Sequence, residues 1–211
     1  EFRLSEPPNT AFFEPVVLQA WDFAISLSTQ ANWTVGVCAL LLPGDILEVV
    51  DFRRFRSDDD QEIAAEICGL AAAWFSSNIT VGVENGQIWK AIKKDIEREA
   101  QKMVRAFTLV ELNPLTDKKA RAKPLQARFQ RGRITFRQGL ALYEQARREL
   151  LRFPGAKDDD CVDALAWVSQ LALTVSPPQL RGTRKRSARK SWRDDLALQQ
   201  RRGVALSHLA A

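Results

Sequence analysis

The chain has 211 residues, 45% of them hydrophobic and 9% aromatic, with a formal net charge of +5. That is enough apolar material to bury the core of one domain, or of one domain with a tail, and it excludes wholesale disorder. Cys38, Cys68 and Cys161 are odd in number and widely spaced, and His208 is the sole histidine, which excludes a disulfide framework, a cysteine zinc site and a histidine-based centre in the core.

Val16–Phe23, Trp33–Leu42 and Ile46–Phe55 are apolar or alternating runs separated by polar turn residues, and are predicted as three consecutive strands of an antiparallel meander. Pro43-Gly44-Asp45 makes the second turn. Asp58-Asp59-Asp60 supplies N-cap chemistry for a helix running to about Ser76, with Ile63, Ala64, Ile67, Leu70, Ala71 and Trp74 at helical spacing. A short buried strand follows over Ile79–Val83 and ends at Glu84; then come a helix over residues 87–103 and a fifth strand over Phe107–Leu112. Lys118–Gln130 and Gly139–Arg152 are predicted helices, with Arg133–Phe136 as a short extended piece between them. Asp160–Leu173 is a last amphipathic helix, packing through Val162, Ala166, Val168 and Leu171. This order is that of an α/β domain with a mixed five-stranded sheet flanked by helices. The longest apolar stretch, Val35 to Leu42, is too short to span a bilayer. There is no visible signal peptide, and the start at Glu1-Phe2-Arg3 without Met is expected of a piece cut from something longer.

Charge divides the chain. From Pro177 onward nine Lys/Arg face two Asp, a net of +7, so residues 1–176 sum to −2. The division predicted is a domain over residues 1–176 and a basic, flexible tail over 177–211. A cationic extension is expected either to meet a polyanion or simply to be solvated. Neither G-x-x-x-x-G-K-[ST] nor G-x-G-x-x-G occurs, so no nucleotide motor is encoded in this stretch.

Four short signatures carry the chemistry: Trp21-Asp22-Phe23-Ala24, Gly82-Val83-Glu84-Asn85, Asp117-Lys118-Lys119, and the run from Phe153 to Ala164. Asp22 and Glu84 each end an apolar strand. A strand-end acid capping the next turn accounts for either one alone; two acids ending two strands that can pair are better placed to hold a hard cation. Asp158, Asp159 and Asp160 open the last helix, where the helix dipole stabilises each by about 0.3–1 kcal/mol. That explains one or two of them but not Asp163, which is spaced i, i+4 from Asp159 and i, i+3 from Asp160. Like charges so placed repel unless a cation sits between them. All-carboxylate ligation selects Mg²⁺ or Mn²⁺, and a pair of such ions suits in-line attack on phosphorus without His or a covalent nucleophile. In that scheme Asp22 bridges two ions, Glu84 holds one, and the Asp159, Asp160 and Asp163 cluster holds the other.

Together these blocks resemble the C-terminal nuclease domain of the large terminase subunit of tailed bacteriophages and prophages. The resemblance runs over residues 14–173 and includes Asn32-Trp33-Thr34-Val35, Val83-Glu84 before Gly86-Gln87, Asn113-Pro114, Asp117-Lys118-Lys119-Ala120-Arg121-Ala122, Glu149-Leu150 and Phe153-Pro154-Gly155. It implies an RNase H-like fold and an endonuclease that cuts concatemeric double-stranded DNA with little sequence preference. Asp22 matches the family's first catalytic acid and Glu84 its second; the third falls within Asp159-Asp160, with Asp163 accessory. The family usually has His where this chain has Asp158. The resemblance further implies an N-terminal ATPase motor in the intact protein, portal and small terminase subunit as partners, no membrane, and work in the host bacterial cytoplasm at the procapsid.

Lys118–Arg137 carries eight Lys/Arg. Either this is a solvated helix face, or Lys118, Lys119, Arg121 and Arg128 track the phosphate backbone. Arg184, Lys185, Arg186, Arg189 and Lys190 in the tail add sequence-independent affinity if they meet DNA. Two other readings remain: a junction resolvase or integrase of the same fold, and a DNA-binding packaging domain whose acids only cap helices.

Overall fold

The computed structural model describes residues 2–23, 33–74, 78–103, 106–113, 117–155 and 159–181. The chain divides into two units, Glu1–Leu180 and Arg181–Ala211, and the architecture below is that of the first. Asp158 and the tail cations from Arg184 onward lie outside the described residues.

The strands are β1 (Leu4–Ser5), β2 (Val16–Asp22), β3 (Thr34–Leu42), β4 (Ile46–Phe55), β5 (Ile79–Glu84), β6 (Thr108–Leu112) and β7 (Ile134–Arg137). The helices are α1 (Asp60–Ala73), α2 (Gln87–Gln101), α3 (Lys118–Gln130), α4 (Tyr143–Arg152) and α5 (Asp160–Leu171), with a 3-10 turn at Thr10–Phe12. One mixed sheet has the order β1-β7-β4-β3-β2-β5-β6. β2, β3 and β4 form the expected antiparallel meander; β5 pairs parallel to β2 and β6 parallel to β5. The five expected strands are all present. The sheet has seven because β7 adds parallel to β4, and β1 to β7.

β2 and β3 are apolar almost throughout because both faces of the sheet are covered. Alternation sorts their residues. Val16, Leu18 and Ala20 join Val35, Val37, Phe52 and the inward residues of α5 in one cluster. Val17, Trp21, Cys38, Val81 and Val83 join α1 and α2 in the other. The Trp21 ring lies over Gly36, its register partner, leaving no room there for a Cβ. α5 explains its own composition: it is buried nearly all round, Trp167 and Leu165 included, because it sits between the sheet and α3 and α4.

Helix starts follow side-chain caps. Asp59 accepts from the N–H groups of Gln61 and Glu62 at the head of α1, and Asp117 from Lys119 at the head of α3. α4 begins four residues later than the expected Gly139, because Gly139 and Leu142 both take left-handed backbone angles that interrupt a helix. Cys38, Cys68 and Cys161 are free and buried. No described helix is long and apolar enough to cross a membrane.

Candidate active site

The parallel ladder between β2 and β5 aligns Trp21 with Val83. The next residues along, Asp22 and Glu84, therefore stand side by side at the ends of two central strands, about 4.8 Å apart along the backbone. Both belong to the α5 face. Asp22 follows Leu18 and Ala20 in the alternation; Glu84 follows Gly82, where a Cβ would lie 3.2 Å from Leu171. α5 crosses this face with its N-terminal acids, Asp160 and Asp163, only 4% and 6% exposed.

Electrostatics ties these acids into one unit. Burial raises the Asp22 carboxyl well above the usual carboxylate range; Asp163 and Glu84 add to the rise, Arg121 opposes it, and Asp160 adds again. The Asp160 carboxyl is also raised, chiefly by burial; the Trp33 N–H opposes, Glu149 adds, Arg54 opposes and Asp159 adds. That N–H donates to Asp160 Oδ2 at 3.3 Å. Among the described residues, no Lys or Arg nitrogen lies in ion-pair range of Asp22, Glu84 or Asp160.

Capping does not account for the α5 cluster. Asp159 occupies the N-cap position without making a capping hydrogen bond. The cap comes from α4, where buried Glu149 accepts from the Cys161 N–H at 2.8 Å. Gln145 donates to the other oxygen of Glu149 at 2.9 Å, and Arg54 donates to Gln145 at 3.1 Å. Glu149 as a cap went unread in the sequence, although its helical spacing from Ala146 and Phe153 marks the inward face of α4.

The like-charge argument resolves differently from expectation. A cation does sit between Asp159 and Asp163, and it is Lys118, with Nζ 2.6 Å from one and 2.8 Å from the other. Burial acts to lower the Lys118 pKa, but its bonds to the two carboxylates outweigh that and raise it. Arg121 takes the remaining oxygen of Asp163 at 2.9 Å. Lys118 and Arg121, read in sequence as phosphate contacts, thus face the acids.

Arg128 is held elsewhere. It is 4% exposed, and its guanidinium donates to the Asp45 carbonyl at 2.8 Å and to the Asp45 carboxylate at 2.9 Å. Ala122, Leu125 and Arg128 form the buried stripe of α3, so Arg128 is anchored beneath the β3–β4 turn and is closed to a phosphate. Lys119 is exposed and lines a groove with Leu125, Phe129, Leu150 and Phe153. Arg184, Lys185 and Arg186 lie outside the described residues.

Among the described residues, no three Asp, Glu, Cys or His side chains are placed to hold a metal ion as they stand. Both oxygens of Asp163 are engaged by Lys118 and Arg121. The chemistry of the set nonetheless fits a hard divalent cation: the donors are all carboxylate oxygens, and among the described residues Asp22, Glu84 and Asp160 make no direct ion pair. A cation among them would offset both the burial of the Asp22 charge and the repulsion that adds to it.

The family model described as the terminase RNaseH-like domain matches residues 19–170. No curated protein matches the chain in sequence. Among solved structures, the human cytomegalovirus terminase nuclease domain superposes with a TM-score of 0.61 at 16% identity, covering 80% of this chain and 89% of that one. The large terminase nuclease of thermophilic phage G20c, a structure with bound cobalt, gives 0.55 at 15% identity, covering 80% and 91%. The large terminase of thermophilic bacteriophage D6E, in complex with ADP, gives 0.55 at 13% identity, covering 82% of this chain but 43% of that one.

Proposed function

The chain belongs to the terminase RNaseH-like domain family, and from that premise we propose that it is a metal-dependent endonuclease domain that cuts concatemeric double-stranded DNA, with little sequence preference, during phage genome packaging. One observation carries the reading: Asp22 and Glu84 at adjacent strand ends meet Asp160 and Asp163 of α5 on a single face, where burial first, and then the charges of Asp163, Glu84 and Asp160, raise the Asp22 carboxyl. Mg²⁺ or Mn²⁺ bound as a pair would supply an activated water and charge stabilisation for in-line attack on phosphorus. The cobalt in the phage G20c nuclease supports a divalent ion on this fold.

Asp22, central in the face, is the acid best placed to serve two ions, with Glu84 on one side and the α5 acids on the other. Trp33 and Glu149 hold the head of α5, and with it the carboxylate of Asp160, against the strand ends. Lys118 and Arg121 neutralise Asp159 and Asp163, so an ion using those oxygens must displace at least one of the two cations. Lys119 and the tail residues Arg184, Lys185 and Arg186 remain our candidates for sequence-independent contact with DNA phosphates. The D6E large terminase binds ADP and this chain covers 43% of it. That supports an ATPase motor in the rest of a longer protein, acting with portal and small terminase subunit in the bacterial cytoplasm.

The test is digestion of supercoiled plasmid and of a four-way junction with EDTA, Mg²⁺ or Mn²⁺. Metal-dependent cutting of plasmid without preference for the junction is expected. Strong junction preference would favour a resolvase, and a folded protein that cuts nothing would sink the enzymatic reading of the isolated domain.

A further inference from the structure

The side chains of Trp33, Arg54 and Arg56 gather beside the acid constellation, to which the Trp33 N–H is hydrogen-bonded through Asp160. In the sheet register Arg54 of β4 pairs with Val35 of β3, and Val35 with Asp22 of β2. Arg54, Val35, Asp22 and Glu84 therefore form a single row across the ends of four strands. Val35 and Phe52 face α5, so alternation puts Arg54 and Arg56 on that same face. Trp33, two residues from Val35, packs against the same cluster. The last ladder pair is Thr34 with Phe55, so Trp33 and Arg56 stand just past it, two residues beyond the acid row.

There the two guanidiniums gather on one indole. The Arg54 carbon lies 4.2 Å and the Arg56 carbon 4.0 Å from the Trp33 ring centroid. Each is attracted by the ring, but together they concentrate like charge. Arg54 is half-buried and tied to Gln145; Arg56 is exposed. The result is a cation presented on an aromatic base, and the base is tied to the acids by the Trp33 N–H on Asp160. From Asp22 to Arg54 is two strand spacings, about 10 Å. Arg56 lies two residues farther along, about 12 Å from Asp22 in all, and a DNA strand advances about 3.4 Å per nucleotide, so the cation falls within about four nucleotides of a phosphate held at the acids.

We propose that Trp33, Arg54 and Arg56 form a shelf that binds the phosphate backbone of the DNA strand flanking the scissile phosphate, Arg56 making the contact and Trp33 and Arg54 positioning it. This deepens the nuclease reading and rests on it. A solvated Arg would leave DNA binding unchanged when removed. A phosphate contact contributes about 0.9 to the slope of log affinity against log salt.

The experiment is the salt dependence of binding of the whole chain to a labelled DNA duplex in EDTA, by fluorescence anisotropy. It compares wild type, Arg56→Gln, Arg56→Lys, Trp33→Leu and Lys94→Gln, the last removing an exposed charge from α2 on the opposite side of the sheet. Expected are a slope shallower by about 1 in Arg56→Gln, recovery in Arg56→Lys, no change in Lys94→Gln, and a weakened Arg56 contribution in Trp33→Leu. An Arg56→Gln slope equal to wild type overturns the shelf, as does an equal loss in Lys94→Gln, which would reduce the effect to net charge. Plasmid digestion with Mn²⁺ alongside separates the two readings. Wild type that cuts while Arg56→Gln keeps its slope removes the shelf alone; wild type that neither binds nor cuts removes the nuclease reading too.

Discussion

Replacing Asp22 by Asn should stabilise the metal-free protein at neutral pH. Asp22 and Glu84 sit on adjacent parallel strands about 4.8 Å apart. Two carboxylates at roughly 5 Å repel by about 3 kcal/mol at an effective dielectric of about 20. Arg121 offsets part of this and the α5 acids add to it, leaving a gain of about 1–3 kcal/mol when the charge is removed without changing shape. For a chain of this size that is about 2–12 °C in Tm. The pH dependence fixes the cause. The folded Asp22 pKa lies above its unfolded value near 3.9, so below about pH 4 the residue is protonated in both states and the substitution changes little. As pH rises, the unfolded chain gives up its proton first and the wild-type fold loses stability, until the folded carboxyl ionises as well. The advantage of Asp22→Asn should therefore be near zero at about pH 4 and larger at pH 7. Thermal melts by circular dichroism in EDTA at the two values measure it. A variant less stable than wild type at pH 7, or a gain as large at pH 4, would refute the argument.

Substitutions at three further positions test the scaffold. Glu149→Ala should cost about 1–3 kcal/mol by leaving the buried head of α5 uncapped, and Glu149→Gln should recover more than half in denaturant unfolding. Arg128→Ala should cost about 1.5–3 kcal/mol through its lost bonds to Asp45 while leaving the salt slope of DNA binding unchanged; a shallower slope would reinstate it as a phosphate contact. Gly36→Ala should destabilise by about 1–3 kcal/mol, because its Cβ meets the Trp21 ring; a neutral result would mean that the ring has room to move.

The strands and helices were legible where burial imposes a period. β2 and β3 read as continuous apolar runs because helices cover both faces, and α5 read as a helix from its packing positions. β1 was not legible: two residues, Leu4 and Ser5, carry no period, and their pairing with β7 is set by tertiary contact. Asp22 and Glu84 stood out as acids ending apolar strands, and the parallel register places them side by side. The partner of each charge was harder to read. Asp159 and Asp163 signalled a cation between them, but spacing within α5 could not reveal that Lys118, more than forty residues earlier, would supply it. A run of basic residues on α3 reads as one surface. Tertiary packing divides it, turning Arg128 into the core and Lys118 and Arg121 onto the acids, and leaving Lys119 outside.

The central claim is that Asp22, Glu84 and the acids of α5 hold divalent ions together. Calorimetric titration of Mn²⁺ into wild type, Asp22→Asn and Asp163→Asn tests it most directly. Saturable binding in wild type that is lost in both folded variants is the expected result. Binding that survives Asp22→Asn undiminished, or no binding by folded wild type, would contradict the claim.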